Sequence, residues 1–352
     1  MTDIQESIIA ARKRLEGIKK SIEGIQASKQ DRSLPQSCQG DVLNKSSICH
    51  MRARRILRGH FGKVYSTHWS GDSVHLVSAS QDGKLMVWNG LTTNKVQSIP
   101  LASSWVIACA FEQKVNRFVA CGGMDNVCSL YKLDRVGSNR VVRVSQELSG
   151  HHGYLSCCRF MDESRLLTAS GDSTCRVWDV ERGRADRVFS DHGADAMSVA
   201  LCPTNPNIFA SGSCDATSKV WDVRTNKSVV TFRGHASDVN SVHFFPDGQA
   251  VGTGSDDHTC KLFDMRCVNA LNTFGNDKII SGITSVAFSR SGRFLFAGYE
   301  DFMVRCWDVV SAESTCHQSL SGHENRVSTI SVNPAGDALL SGSWDTTLRV
   351  WA

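Results

Sequence analysis

The stretch Thr168-Ala169-Ser170-Gly171-Asp172-Ser173-Thr174-Cys175-Arg176-Val177-Trp178-Asp179 decides the fold. A tight-turn signal at Gly171-Asp172 separates two short runs with strand composition, and the second run ends on an aromatic residue. The same phrase returns along the chain. Its closing aromatic is Trp88, Tyr131, Trp178, Trp221, Phe263, Trp307 and Trp351, at intervals of 43, 47, 43, 42, 44 and 44 residues. Six residues before each aromatic stands an aspartate: Asp82, Asp125, Asp172, Asp215, Asp257, Asp301 and Asp345. One fixed offset kept through every repeat, at a period near 40–45 residues, predicts a seven-bladed WD-repeat β-propeller with four short strands per blade.

Five repeats share two further markers. A histidine (His60, His151, His192, His235, His323) precedes the aspartate by 21–23 residues, and a hydroxyl (Ser78, Thr168, Ser211, Thr253, Ser341) precedes it by four. The second and sixth repeats lack the histidine and have Cys121 and Ala297 in place of the hydroxyl. Because the two markers come and go together, they are expected to form one buried hydrogen-bonded chain with the aromatic, which must be satisfied throughout. Phe263 offers no indole N–H to the fifth. A Ser/Thr, His and Asp invite comparison with a nucleophilic triad, but a catalytic site needs one constellation and this one recurs five times. No catalytic residue is assigned.

The last repeat stops at Ala352, directly after its marker Trp351, and lacks an outer strand. The basic run Met51-Arg52-Ala53-Arg54-Arg55-Ile56-Leu57 stands where it can supply one, which would leave no open edge. A nucleic-acid patch is the weaker reading of so short a run, and no nucleic-acid partner is expected.

Residues 1–34 differ in kind. Ile4, Ile8, Ala11, Leu15, Ile18, Ile22 and Ile25 alternate spacings of four and three, a heptad seam. Gly17 and Gly24 each weaken such a helix by about 1 kcal/mol. It is therefore expected to need a partner helix, which could come from another chain, a second copy or its own propeller. Residues 35–49 read as a linker and residues 50–352 as the propeller.

Composition adds exclusions. In 352 residues the net charge is +4, and the 14 cysteines show no C-x-x-C pair or zinc-finger spacing, so no metal site or other cofactor is expected. Neither a signal sequence nor a membrane-spanning run is apparent. The thiols read as reduced and buried, in a cytoplasmic protein. Thr2 excludes myristoylation and the C-terminus is no prenylation box. Membrane attachment is therefore expected only through partners, at the inner face of the plasma membrane.

Function is expected where equivalent positions diverge between repeats. Three residues after the histidine, or at its equivalent, stand Lys63, Trp105, Tyr154, Asp195, Asp238, Gly282 and Arg326; two further on, Tyr65, Ile107, Ser156, Met197, Asn240, Thr284 and Ser328. Just before the repeated aspartate stand Gln81, Met124, Gly171, Cys214, Asp256, Glu300 and Trp344. Tyr65, Trp105, Ile107, Met124, Tyr154, Met197 and Trp344 thus place large apolar groups at expected loop positions, rimmed by Asp195, Asp238 and Asp256 on one side and Lys63 on the other. Aromatic and Met anchors inside a charged rim compose a protein-binding hot spot.

The segments Leu57-Arg58-Gly59-His60, Ser78-Ala79-Ser80-Gln81-Asp82-Gly83-Lys84-Leu85, Gly153-Tyr154-Leu155-Ser156-Cys157-Cys158-Arg159-Phe160 and Ser341-Gly342-Ser343-Trp344-Asp345 resemble the β subunits of heterotrimeric G proteins, and the likeness runs over nearly the whole chain. The resemblance implies an obligate dimer with a small prenylated γ subunit, paired along residues 4–25. It implies a face for the GDP-loaded α subunit, overlapping one for effectors, at Lys63, Tyr65, Trp105, Ile107, Met124, Asn126, Tyr154, Asp195, Met197, Asp238, Asp256 and Trp344. Phe61, Lys84, Met86, Lys95 and Gln97 would hold the α subunit's N-terminal helix. The linker at 35–48 is longer than in animal members, and Glu112 to Arg117 diverges. A general scaffold of the type resembling the receptor for activated C kinase, or a ubiquitin-ligase adaptor, would share the propeller; the former lacks a heptad helix.

Overall fold

The computed structural model describes residues 16, 17, 19, 20, 50–133, 143–276, 278–310 and 316–352. Twenty-eight strands form seven antiparallel sheets of four. Blade 1 is β2 (Val64–Trp69), β3 (His75–Ser80), β4 (Lys84–Asn89) and β5 (Lys95–Pro100), and blades 2 to 6 repeat that order. Blade 7 has the order β26-β27-β28-β1, so its outer strand is β1 (Ala53–Arg58), laid against β28 (Thr347–Trp351). Two backbone hydrogen bonds between Arg52 and Ala352 (3.2 and 3.1 Å) extend that seam. The first strands of neighbouring blades pack together around the whole circle, and β2 returns to touch β26. The ring is closed.

Burial follows from that packing. The second strands, such as β19 (Ala250–Ser255), are buried along their length because both faces meet a neighbouring blade. The outer strands are partly exposed, and each sends one fully buried apolar residue inward: Leu57, Ile99, Leu148, Phe189, Phe232, Phe274 or Leu320. The core is correspondingly divided into seven apolar clusters, of which one joins Val77, Val87 and Ile99 of blade 1 to Val106, Phe111 and Tyr131 of blade 2.

A second device ties the blades together. The third residue of the first strand accepts an amide N–H from the next blade: Ser66 from Cys109 (3.3 Å), Ser198 from Val242 (3.3 Å), Ser241 from Val286 (3.0 Å), Ser285 from Ile330 (3.1 Å) and Thr329 from Thr67 (3.4 Å). Blades 2 and 3 carry Ala108 and Cys157 there instead. This stitching was not anticipated, although the repeated hydroxyl at one strand position was available as a signal.

The heptad residues Ile4, Ile8, Ala11, Leu15, Ile18, Ile22 and Ile25 lie outside the described residues. Glu16, Gly17, Lys19 and Lys20 are helical, which is too little to show the expected coiled coil.

Candidate functional site

In five blades the histidine Nδ1–H donates to the aspartate Oδ2: His60–Asp82 (3.0 Å), His151–Asp172 (2.8 Å), His192–Asp215 (2.9 Å), His235–Asp257 (2.8 Å) and His323–Asp345 (2.7 Å). Nε2 then accepts from Ser78, Thr168, Ser211, Thr253 or Ser341 at 2.6–2.8 Å. Four of those hydroxyls accept from the indole of Trp88, Trp178, Trp221 or Trp351 at 2.7–2.8 Å. The chain can run one way throughout, from indole to hydroxyl to imidazole to carboxylate, with the imidazole proton on Nδ1. In the fifth blade Phe263 gives no indole to Thr253, whose oxygen lies 3.3 Å from the Lys261 carbonyl. In the sixth, the Tyr299 hydroxyl takes the Trp307 N–H (3.2 Å) and Asp301 pairs with Arg305. A hydroxyl already engaged as both donor and acceptor beneath a buried indole is a bolt rather than a nucleophile.

These bolts set the face above them. The aspartate also accepts the N–H of the residue after the histidine, at 3.0–3.1 Å in all five blades. In those five blades the first strand therefore starts at the same height. One backbone bond then joins two of the divergent positions in every blade: Gln81 to Lys63, Met124 to Trp105, Gly171 to Tyr154, Cys214 to Asp195, Asp256 to Asp238, Glu300 to Gly282 and Trp344 to Arg326, at 2.9–3.2 Å. The third divergent position is a β-bulge in all seven blades, with register breaks spanning Tyr65, Ile107, Ser156, Met197, Asn240, Thr284 and Ser328. A bulge residue has no cross-strand partner and its side chain is re-aimed. Tyr65, Ile107 and Met197 are thus strand residues, not the loop residues expected from sequence, and the bulge is what turns them toward this edge.

Around the ring the face has an apolar-basic side and an acidic side. Trp344 lies under Lys63 (Nζ 4.0 Å from the ring centre) and beside Arg326 (4.9 Å), with the Tyr65 ring edge-on at 6.0 Å. Trp105 and Met124 are 47% and 56% exposed, which is unusual for such large apolar side chains and leaves them free to anchor a partner. Gly123 makes their pairing possible: any side chain there would strike the Trp105 carbonyl oxygen. The Tyr154 ring similarly occupies the space a side chain on Gly171 would need, and its hydroxyl donates to Asp195 (2.9 Å). Asn126 sits beside them with φ +62°, a turn position that asparagine tolerates.

On the acidic side Asp195, Asp238, Asp256 and Glu300 crowd together. Burial and the charges of Glu300 and Asp238 push the Asp256 carboxyl above its ordinary value, against a hydrogen bond from Asn240. Burial, then Asp238, push the Cys214 thiol up to about 12. The Arg326–Glu300 pair (3.0 Å) joins the two sides. A cationic partner group would therefore be attracted to one half and repelled by the other, a pattern that orients what docks.

On the side of blade 1, Phe61 is 84% exposed with Lys84 Nζ 5.3 Å above its ring; Lys95 is exposed over Trp88, and Gln97 is half-buried. Met86 does not join them. It is buried against Trp69, Leu340 and Leu348, because β4 turns that side chain toward blade 7. Glu112–Arg117 forms a built turn: the buried Glu112 carboxylate accepts the N–H groups of Lys114, Val115 and Asn116. A recess of about 560 Å³, lined by Met51, Phe294, Phe296, His317 and Leu339 among others, contains none of the expected site residues. Among the described residues no group of three or more metal-ligating side chains occurs, and no helix is long and apolar enough to cross a membrane.

The fold is thus a closed seven-bladed propeller with one rigidly seated, chemically divided face. The family model of the G protein beta WD-40 repeat protein matches residues 6–352, and the chain belongs to that family. It is 50% identical to the guanine nucleotide-binding protein subunit beta of Dictyostelium discoideum, over all of this chain and 99% of that one. It is 49% identical to the G(I)/G(S)/G(T) subunit beta-1 of Homarus americanus and to the subunit beta of Lymnaea stagnalis, over 97% of this chain and 98% of each.

Proposed function

We propose that this chain works as the β subunit of a heterotrimeric G protein, without an enzymatic role of its own. Residues 1–34 form a helix that pairs with a γ subunit, residues 35–49 link it to the propeller, and the divided face receives the α subunit in its GDP form. The observation that carries the reading is the seven-fold repetition of one backbone bond and one bulge beneath side chains that differ from blade to blade. A fold spends identical scaffolding on non-identical surface where recognition is the task.

The anchors are Trp105, Ile107, Met124, Tyr154, Met197 and Trp344 with Tyr65 and Asn126. Lys63, Asp195, Asp238 and Asp256 orient the partner. Phe61, Lys84, Lys95 and Gln97 hold the α subunit's N-terminal helix; Met86 supports them from within. GTP loading reshapes the α subunit and weakens its hold, and effectors then take the vacated face. The propeller itself stays as it is, in keeping with its closed ring. Membrane attachment comes from lipidated partners. Binding of α subunit to the full chain, measured with GDP and with a non-hydrolysable GTP analogue, tests this: Trp105→Ala should weaken the GDP complex, and indifference to the nucleotide would refute the switch.

A further inference from the structure

The fifth residues of the seven first strands lie at one level of the central ring, toward the end opposite the partner face. They alternate: His68, Arg159, His243 and Ser331 in the odd blades, Ala110, Ala200 and Ala287 in the even ones. Arg159 and His243 each stand between two alanines and His68 between Ala110 and Ser331, which leaves room on the axis. The seven first strands contain no Asp or Glu, so Arg159 is their single formal charge.

Arg159 spends one nitrogen on the backbone. Its Nη1 donates to the carbonyls of Cys158 (2.7 Å) and Cys109 (3.3 Å), and among the described residues no carboxylate pairs with it. A guanidinium cannot shed its proton, so the charge stays. Arg159 is half-buried and, among the described residues, without a carboxylate partner, and its remaining N–H donors are open to an anion in the channel. The imidazoles beside it are built to help. The His68 Nδ1 accepts the Phe111 N–H (3.0 Å), leaving its Nε2–H to donate to an oxyanion; the His243 Nδ1 donates to the Phe244 carbonyl (2.9 Å), which leaves its Nε2 to accept from the P–OH of a protonated phosphate. Crowding inside the channel and the Arg159 charge hold both below the ordinary imidazole range, although His243 is exposed and His68 half-buried, and no carboxylate offsets that field. His243 also lines a recess of about 330 Å³ that opens outward beside Arg290.

We propose that this end of the central channel binds a small oxyanion of the phosphate class, held by Arg159, with His68 and His243 beside it and Arg290 at the mouth. The site is on the other side of the disc from the partner face and would leave docking there free.

The test is calorimetric titration of the full-length chain, purified with whatever subunit accompanies it, using inorganic phosphate at constant ionic strength. Saturable one-site binding is expected, with chloride giving none. Arg159→Gln should weaken it roughly tenfold or more, the scale expected for losing a charge-assisted contact. Should that variant fold poorly for want of its two carbonyl contacts, His243→Ala leaves Arg159 in place and should still lower the affinity. Glycerol phosphate run alongside distinguishes a phosphate monoester from the free ion. Absence of saturable binding overturns the proposal, as does affinity unchanged in a folded Arg159→Gln or in His243→Ala.

Discussion

The Lys63 ammonium lies 4.0 Å from the centre of the Trp344 ring, which puts the first blade and the last in contact at the seam where the ring closes. Arg326 approaches the same indole at 4.9 Å, so two cations favour the position that Trp344 holds. A large aromatic fixed before docking loses little freedom when a partner covers it. Trp344→Ala should therefore weaken α-subunit binding by about 2 kcal/mol or more while leaving the melting temperature nearly unchanged. Calorimetric titration with GDP-loaded α subunit reads this directly, and equal affinity would remove Trp344 from the anchors.

Gly171 gives a test that leaves every contact residue in place. A Cβ there would come 2.3 Å from the Tyr154 ring, so Gly171→Ala must displace the ring and break its bond to Asp195. Partner affinity should fall as in Tyr154→Ala. Tyr154→Phe, which keeps the ring and loses only the hydroxyl, should cost about 0.5–1.5 kcal/mol of stability. If Gly171→Ala binds like the wild type, the ring position does not matter.

The repeated aspartates can be compared within one molecule. Asp215 holds His192, Thr217 and the Gly193 N–H, whereas Asp125 is exposed and its nearest bond, from the Val127 N–H, is 3.4 Å. Asp215→Ala should lower unfolding free energy by about 2–3 kcal/mol by stranding buried donors, and Asp125→Ala by less than about 1 kcal/mol. Equal losses in denaturant unfolding would mean that the network contributes nothing particular.

Acid should destabilise the protein in two stages. Burial holds His151 and His192 below the ordinary imidazole value, so the unfolded chain binds their protons first. Unfolding free energy should accordingly fall as pH drops through about 6.5. For Asp215, burial raises the carboxyl but hydrogen bonds from Thr217, His192 and Gly193 outweigh it and bring it to about 2. Asp82, Asp172, Asp257 and Asp345 are lowered as well. A depressed carboxyl contributes stability above its unfolded value near 4, and that contribution is lost as pH falls toward the folded value. Denaturation midpoints from pH 8 to pH 3 should decline throughout; a flat profile between 7 and 5 would contradict the imidazole assignment.

The seven aspartate-to-aromatic offsets were enough to count the blades, because each offset is one tight turn plus one strand and cannot stretch. Closure through β1 was legible for a related reason: a final repeat lacking its outer strand leaves an edge that some segment must cover. The bulges at Tyr65, Ile107 and Met197 were not legible, since a bulge adds a backbone irregularity without a residue type of its own. Met86 misled because a strand position on a blade's side can face solvent or the next blade, and sequence spacing does not say which. The alternation of His68, Arg159 and His243 with alanines was present in the sequence, but its meaning needs the ring that brings seven distant strands to one level.

The most direct test of the central claim is capture of the native protein from lysate, once with GDP and once with a non-hydrolysable GTP analogue, with the bound chains identified by mass. The account predicts a small prenylated subunit in both samples and an α subunit retained mainly with GDP. A propeller that brings down neither, or an α subunit held equally under both nucleotides, would contradict it.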